Sequence, residues 1–408
     1  MASFRTAPLV STDSRCEAEI RATLVSMSRI RGRAPGSVRE SPLRPWDAVA
    51  LLAMAAFSWR SWAAYRRWPQ LTADPARALL ATVSIVVPAR DEAENLMRLL
   101  PSLLCLEPPP SEVLVVDDRS RDQTASIAAG FGMRVLASTE PPPGWSGKNW
   151  ACRLGAEASS GEWLLFTDAD TWHAPESLGA ALSRATADAA DLLSLLTGQE
   201  CRSLWERLVL PFAYAHYFAA AAAEWANDDG APSAIANGQY LLVRRTWYDR
   251  VGGHGAVRAS LGEDVELARL VRRAGGRVRL YRAEALIKVR MYRSLGAIQT
   301  GFRKYMAGYL RAYPPHGALV AASTASAGLP LFWLIRAAGG RASWWPAAAA
   351  WLVGVHGYLP WLRWFGVHPV FSLLQPLAYA VFQGIALDAG VRSLLGLRVT
   401  WKGRRYRA

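Results

Sequence analysis

The chain has 408 residues, 51% of them hydrophobic, and a formal net charge of +14 carried almost entirely by arginine, since Lys148, Lys288, Lys304 and Lys402 are its only lysines. The slightly positive mean hydropathy argues against both an ordinary soluble enzyme and a polytopic transporter, and favours a soluble domain carrying a few membrane segments. The basic residues flank apolar segments, which suits an anionic membrane surface; with no basic helix, zinc-ligand spacing or RNA-binding signature, nucleic acid is not an expected partner.

Residues 1–45 hold eight arginines and four acids without periodicity and read as a disordered basic arm. Residues 46–68 read as an N-terminal membrane or interfacial helix, because Ala48–Trp59 is an uncharged run that continues, past Arg60, to Tyr65. Arg60, Arg66 and Arg67 follow it, so the positive-inside rule places the next domain on the cytoplasmic face of the cell's inner membrane.

Residues 80–290 read as an α/β domain. V-S-I-V-V-P (83–88), E-V-L-V-V (112–116), M-R-V-L-A (133–137) and E-W-L-L-F-T (162–167) are short apolar runs separated by helical patterns, the first with Leu96, Leu99, Leu100 and Leu103 on one face. Such alternation predicts βαβ units and a mostly parallel sheet. Leu208–Ala223 is apolar within this domain and reads as a helix lying on the membrane. Residues 291–312 mix aromatic and basic side chains as an interfacial helix does, and residues 313–390 contain three long uncharged runs, Tyr313–Ile335, Trp344–Leu362 and Trp364–Leu387. Residues 391–408 form a basic tail. Basic flanks on both sides of an odd number of runs predict that one is re-entrant or interfacial; Pro346, Gly354, Gly357 and Pro360 select the middle one. The four cysteines form no C-x-x-C pair and read as free thiols.

The chemistry is expected at the strand ends. Asp168 and Asp170, just past the fourth strand, can approach one hard cation, Mg2+ or Mn2+. Parallel sheets bind ligands at the carboxyl ends of their strands. Pro88, Arg90, Asp91 and Glu92 after the first strand, Asp117, Asp118 and Ser120 after the second, and Asp168 and Asp170 after the fourth are therefore expected to face one crevice. Helix capping alone would explain Asp91 and Ser120, but not three acidic strand ends together. Lys148, in G-W-S-G-K (144–148), can meet an anion at a helix start. Glu263 and Asp264 open a later helix, where a carboxylate can act as general base or simply complement the helix dipole.

The ordered set V-P-A-R-D-E, V-V-D-D-R-S-x-D, G-K-N-W-A, T-D-A-D, A-N-G-Q-Y-L-L-V-R-R and G-E-D resembles glycosyltransferase family 2 over residues 83–310. The later G-G-H-G-A-V-R, V-R-M-Y-R-S-L and W-K-G-R-R-Y resemble its membrane branch, which glycosylates carotenoid-type (diaponeurosporenoate) or hopanoid-type lipids. The resemblance implies a GT-A fold, a nucleotide-diphosphate sugar donor and inversion at the anomeric carbon. It implies that Asp91, Glu92 and Asp118 hold the nucleoside, that Lys148 lies near the diphosphate, that Asp168 and Asp170 serve ribose and metal, and that Asp264 is the base beside Glu263. The processive members' Q-x-x-R-W is not matched, since Gln299 and Arg303 are one position too far apart and Lys304 stands where Trp would be. The expected acceptor is a membrane lipid. A polyprenyl phosphate or a soluble acceptor is the alternative, and a nucleotidyltransferase or a non-catalytic scaffold fits less well.

Overall fold

The computed structural model describes residues 45–72, 81–220, 226–231, 234–312, 328–340, 344–395, 397–401 and 404–407. The expected basic arm lies outside these but for its last residue.

Pro45–Arg67 forms helix α1. The alternation expected from the apolar runs then follows: β1 (Val83–Ala89), α2 (Ala93–Leu104), β2 (Glu112–Asp117), α3 (Thr124–Gly130), β3 (Arg134–Ala137), α4 (Gly147–Glu157) and β4 (Trp163–Phe166). Next come β5 (Thr171–His173), α5 (Ser177–Ala187), β6 (Leu192–Leu196), β7 (Gly198–Gln199), α6 (Leu204–Ala220), β8 (Leu241–Arg244), α7 (Arg245–Arg250), α8 (Gly253–Ala256), α9 (Glu263–Arg273), β9 (Val278–Arg282) and β10 (Ile287–Val289). The remainder is α10 (Leu295–Ala312), α11 (Leu329–Ala338), α12 (Trp344–Trp364), a 3-10 segment Pro369–Leu374, α13 (Gln375–Leu394) and a hairpin of β11 (Arg398–Trp401) and β12 (Arg404–Arg407).

Seven strands form one sheet in the order β3-β2-β1-β4-β8-β6-β9, parallel except for β8, which runs antiparallel to β4 and β6. The strands are apolar runs without alternation because helices cover both faces of the sheet. The predicted face of α2 (Leu96, Leu99, Leu100, Leu103) is fully buried against it. Pairing of Ala89 with Asp117 and of Val86 with Phe166 brings the carboxyl ends of β1, β2 and β4 to one edge. A small sheet, β5-β10-β7, follows directly after the D-x-D segment.

A second core is helical. α1 packs on α12 and α6, and α13 packs on α6 and α10, around Phe57, Phe212, Phe218, Tyr358, Trp361 and Phe382. The seam between α1 and α12 is polar in part: Ser61 Oγ donates to the Gly357 carbonyl at 2.5 Å, and Trp361 Nε1 donates to Ser61 Oγ at 2.6 Å.

Three membrane expectations change. α6 does not lie on a membrane: Leu208, Val209, Leu210, Phe212, Ala215, His216 and Phe218 are buried in the bundle. A helix apolar on all sides is a buried helix, and His216 meets the Tyr358 hydroxyl at 2.5 Å. The middle run of the tail is one unbroken helix of 21 residues. Its glycines are contact points rather than breaks, since a side chain at Gly357 would come within 3.1 Å of Phe57 and one at Gly354 would strike Gln375. Three runs of spanning length were expected, the middle one re-entrant or interfacial, whereas among the described residues one stretch, Pro369–Arg392, is long and apolar enough to cross a bilayer. Tyr313–Ile335 falls largely outside the described residues, leaving the ten-residue α11.

Candidate active site

The loops after β1 and β2 are stitched to each other. Asp91 and Arg119 both adopt positive φ, 51° and 56°, in these loops. The Asp91 N–H donates to Ser120 Oγ at 3.0 Å, and Asp91 Oδ1 accepts from the Arg121 N–H at 2.7 Å. The Glu92 N–H donates to Thr124 Oγ1 at 2.8 Å, while Asp117 Oδ1 accepts from the Ser120 N–H at 3.3 Å. Asp91 therefore does not cap its own helix; Asp122, from the other loop, accepts from the Ala93 N–H at the start of α2. Arg90 donates to the carbonyl of the buried Asp118 at 3.2 Å and lies 3.8 Å from its carboxylate.

The next stretch of the same edge is also charged. Ser146 caps α4 by accepting from the Asn149 N–H at 3.1 Å. Lys148 stands in the first turn of α4, its Nζ 2.7 Å from Asp168 Oδ1 and 2.8 Å from Glu263 Oε1. Asp264, beside Glu263 at the start of α9, accepts from the Gly238 N–H through Oδ2 at 2.6 Å and from the Val265 N–H through Oδ1 at 2.8 Å. Burial, and then the charge of Glu263, push the Asp264 carboxyl up to about 6, against the opposing pull of Lys148 and the two N–H donors. A carboxylate so poised accepts a proton at neutral pH more readily than an ordinary aspartate. Pro88, Lys148, Asp168, Glu263 and Asp264 line one narrow cavity together with Thr167, Gly238 and His254. His254 is held neutral, since burial lowers its ring to about 4.

Members of the quoted motifs to which the sequence assigned no role hold this geometry. The fully buried Asn149 donates its amide to the carbonyls of Val257 (2.8 Å) and Ser260 (3.0 Å), fixing the loop before Glu263. Thr167 Oγ1 donates to the Gln239 carbonyl at 2.8 Å, tying the D-x-D strand end to the Gly238 turn. A side chain at Gly238 would come within 3.2 Å of both Asp264 Oδ2 and Lys148 Nζ.

The residues expected at the crevice fall into neighbouring groups along the carboxyl edge of the sheet. Asp91, Glu92, Asp117, Asp118, Ser120 and Arg90 occupy the β1–β2 loops, whereas Asp168 faces Lys148. Asp170 lines a second cavity of about 220 Å3 with Trp172 and four arginines. Among the described residues no three His, Cys, Asp or Glu side chains converge as a metal cluster. Arg303, the nearest approach to a processive motif, is ion-paired with Asp388 of α13 instead.

The comparisons with known proteins agree with this architecture. The model described as Glycosyl transferase family 2 matches residues 84–219, and that of Glycosyl transferase family group 2 matches residues 163–388, more than half of the chain. The 4,4'-diaponeurosporenoate glycosyltransferase of Staphylococcus haemolyticus (strain JCSC1435) is 27% identical over 249 residues, 60% of this chain and 63% of that protein. Its counterpart in Staphylococcus aureus (strain MRSA252) is 25% identical over 251 residues, 59% of this chain and 65% of that protein. The similarity thus spans less than two thirds of either relative's length. Among solved structures, mannosyltransferase PcManGT from Pyrobaculum calidifontis, in complex with GDP-Man and Mn2+, is similar with a TM-score of 0.50 and 20% identity, over 85% of this chain and 98% of that one. At that identity the likeness concerns the fold, an α/β GT-A-like domain with a mostly parallel sheet. With a family model covering more than half its length, the chain belongs to glycosyl transferase family 2 and is a glycosyltransferase.

Proposed function

We propose that the enzyme transfers a sugar, with inversion, from a nucleotide-diphosphate sugar to a lipid of carotenoid or terpenoid type at the inner face of the cell membrane. The observation that carries this reading is the juxtaposition of Lys148, Asp168, Glu263 and Asp264 at the carboxyl edge of the sheet, where doubly wound sheets bind ligands. The acceptor hydroxyl gives its proton to the Asp264 carboxylate as its oxygen attacks the anomeric carbon. The bond to the diphosphate breaks, and Lys148 faces the negative charge left on the departing oxygen. The twin N–H donors from Gly238 and Val265 orient Asp264 for this role. Pro88, Arg90, Asp91, Glu92, Asp117, Asp118 and Ser120 supply the nucleoside subsite.

Asp168 and Asp170 are the residues that would hold Mg2+ or Mn2+. They stand one residue apart directly after β4, and carboxylate oxygens are the donors such a cation takes; its remaining positions would fall to substrate phosphates and water. The bound ion would supply charge neutralisation to the diphosphate.

Membrane association is supported by the second core. Leu52 and Trp59 on α1, Phe332 and Ile335 on α11, Leu352 on α12, and Leu377 and Leu387 on α13 are exposed large apolar side chains, and Pro369–Arg392 is long enough to span a bilayer. The names of the staphylococcal relatives support a lipid acceptor. The test is to supply the purified full chain with labelled nucleotide sugar and either membrane lipid extract or soluble sugars and peptides. Label entering the lipid phase is expected; label entering only aqueous products overturns the acceptor assignment.

A further inference from the structure

S-L-W-E (203–206) has the spacing of a capping box, and α6 opens on it. Ser203 Oγ accepts from the Glu206 N–H at 3.3 Å, and Glu206 Oε2 accepts from the Ser203 N–H at 2.5 Å. Capping alone does not require burial, yet Glu206 is fully buried. Its Oε2 also accepts from the Arg202 N–H at 3.1 Å, and Arg290 forks onto the same carboxylate. Arg290 Nε lies 2.9 Å from Oε1, and Nη2 lies 3.2 Å from Oε2. Four N–H donors thus converge on one carboxylate, which has about four acceptor positions. Burial raises the carboxyl, and the hydrogen bonds from Arg290 and Ser203 more than reverse that, so Glu206 stays ionised.

Arg290 carries this anchor to the D-x-D segment. It is the first residue after β10, and its N–H donates to the Asp170 carbonyl at 3.2 Å. That bond adds one rung beyond the last β5–β10 pair, Thr171 with Val289. The Asp168 carbonyl is held locally instead, by the Thr171 N–H at 3.3 Å and by Thr171 Oγ1 at 2.8 Å. Strand pairing stops at Val289, so the fork on Glu206 is what fixes Arg290 against α6. A charged pair of this kind is strongly felt when one buried partner is removed, because the other is left uncompensated. We propose that Glu206, acting through Arg290, is a positioning residue for Asp170, setting where that carboxylate stands relative to Asp168. The inference rests on the transferase reading above, in which Asp168 and Asp170 hold the divalent cation. Groups that orient metal ligands from behind are commonly worth about ten- to a hundredfold in metal affinity.

The test titrates the purified full chain with Mn2+ in the presence of UDP or GDP. Free Mn2+ is read from its electron paramagnetic resonance signal, and the thermal midpoint is recorded on the same samples. Glu206→Gln keeps an oxygen for the Ser203 cap but gives up the charge and half of the fork. Arg290→Gln, on a partly exposed side chain, removes the fork from the other end and keeps the backbone N–H. Each is expected to weaken Mn2+ binding about tenfold, and the double variant no more than about twofold further, because the two residues act as one unit. Ser203→Ala breaks the cap alone; it is expected to lower the thermal midpoint and leave Mn2+ binding within about twofold. Equal weakening by Ser203→Ala reduces Glu206 to a helix cap and overturns the inference. Mn2+ affinity unchanged in Glu206→Gln and Arg290→Gln overturns it alone, and if Glu206→Gln does not fold, Arg290→Gln decides. A wild-type chain that takes up no Mn2+ with either nucleotide overturns the metal reading of Asp168 and Asp170, and the inference with it.

Discussion

Gly238 donates its backbone N–H to Asp264 Oδ2 at 2.6 Å, and a side chain there would crowd both that carboxylate and Lys148 Nζ at 3.2 Å. Gly238→Ala is therefore expected to push Asp264 and Lys148 apart. The kcat for sugar transfer should fall about tenfold or more, because misplacement of a base by a fraction of an ångström is costly. Nucleotide diphosphate affinity should change less. A variant with unchanged kcat would remove Gly238 from the site's architecture.

Lys148→Gln is expected to weaken donor binding and the fold together. Asp168 and the buried Glu263 would then face each other without their shared cation, costing roughly 1–3 kcal/mol at neutral pH. The thermal midpoint should drop, and added salt, which screens the two carboxylates from each other, should recover part of the loss. A loss that does not depend on salt would show that charge is not the cause.

Asp170→Asn is nearly isosteric, so the thermal midpoint is expected to move by less than about 4 °C. Transfer should fall about a hundredfold or more. Activity that survives both this change and chelation would exclude a metal-assisted reaction.

Asp264 sets a pH limb. Its carboxyl is raised to about 6 by burial and by Glu263, and only the ionised form accepts a proton. The kcat/KM of the free enzyme should rise about tenfold per pH unit below about 6 and level off above it. The linkage has the opposite sign for stability. A carboxyl with a raised folded-state pKa favours the fold at low pH, and that contribution disappears as pH rises from about 4 through about 6. Asp264→Asn should abolish the activity limb and leave donor binding nearly intact. Equal loss of donor affinity would move Asp264 into the nucleotide site.

Arg303→Gln separates the processive motif from a structural ion pair. Arg303 is held by Asp388, which also takes Arg392 at 3.0 Å. The variant is expected to lose about 1 kcal/mol of stability while transfer stays within about twofold. A large loss of activity would restore Arg303 to the reaction.

The α/β half was legible because its signal is local. The four apolar runs became β1 to β4, and the leucine face of α2 is buried as its spacing predicts. The pairing of Lys148 with Asp168 and Glu263 was legible in part, since all three were singled out by position and charge. Asn149, Thr167 and Gly238 were legible only as members of the motifs; their roles as anchors were not, because they act through backbone groups far away in sequence and no residue type announces such bonds. The arginine cavity was hidden for the same reason: Arg98, Arg202, Arg290 and Arg293 come from four separate segments. The helical core was misread at α6 because an apolar run looks the same whether it meets lipid or other helices.

The seam between α1 and α12 has a consequence for biogenesis. Ser61 and Gly357, which bond across it, are separated by 296 positions, with the whole α/β domain between them. At translation rates of 5–20 residues per second, roughly 15–60 s pass between the emergence of one side of the seam and the other. During that interval α1 has left the ribosome with its α12-facing side uncovered, while the parallel sheet is already complete enough to close. Until α12 arrives, that side of α1 lacks the surface that covers it in the finished fold. Slowing elongation ahead of residue 344 lengthens that exposure without altering a single contact of the finished enzyme.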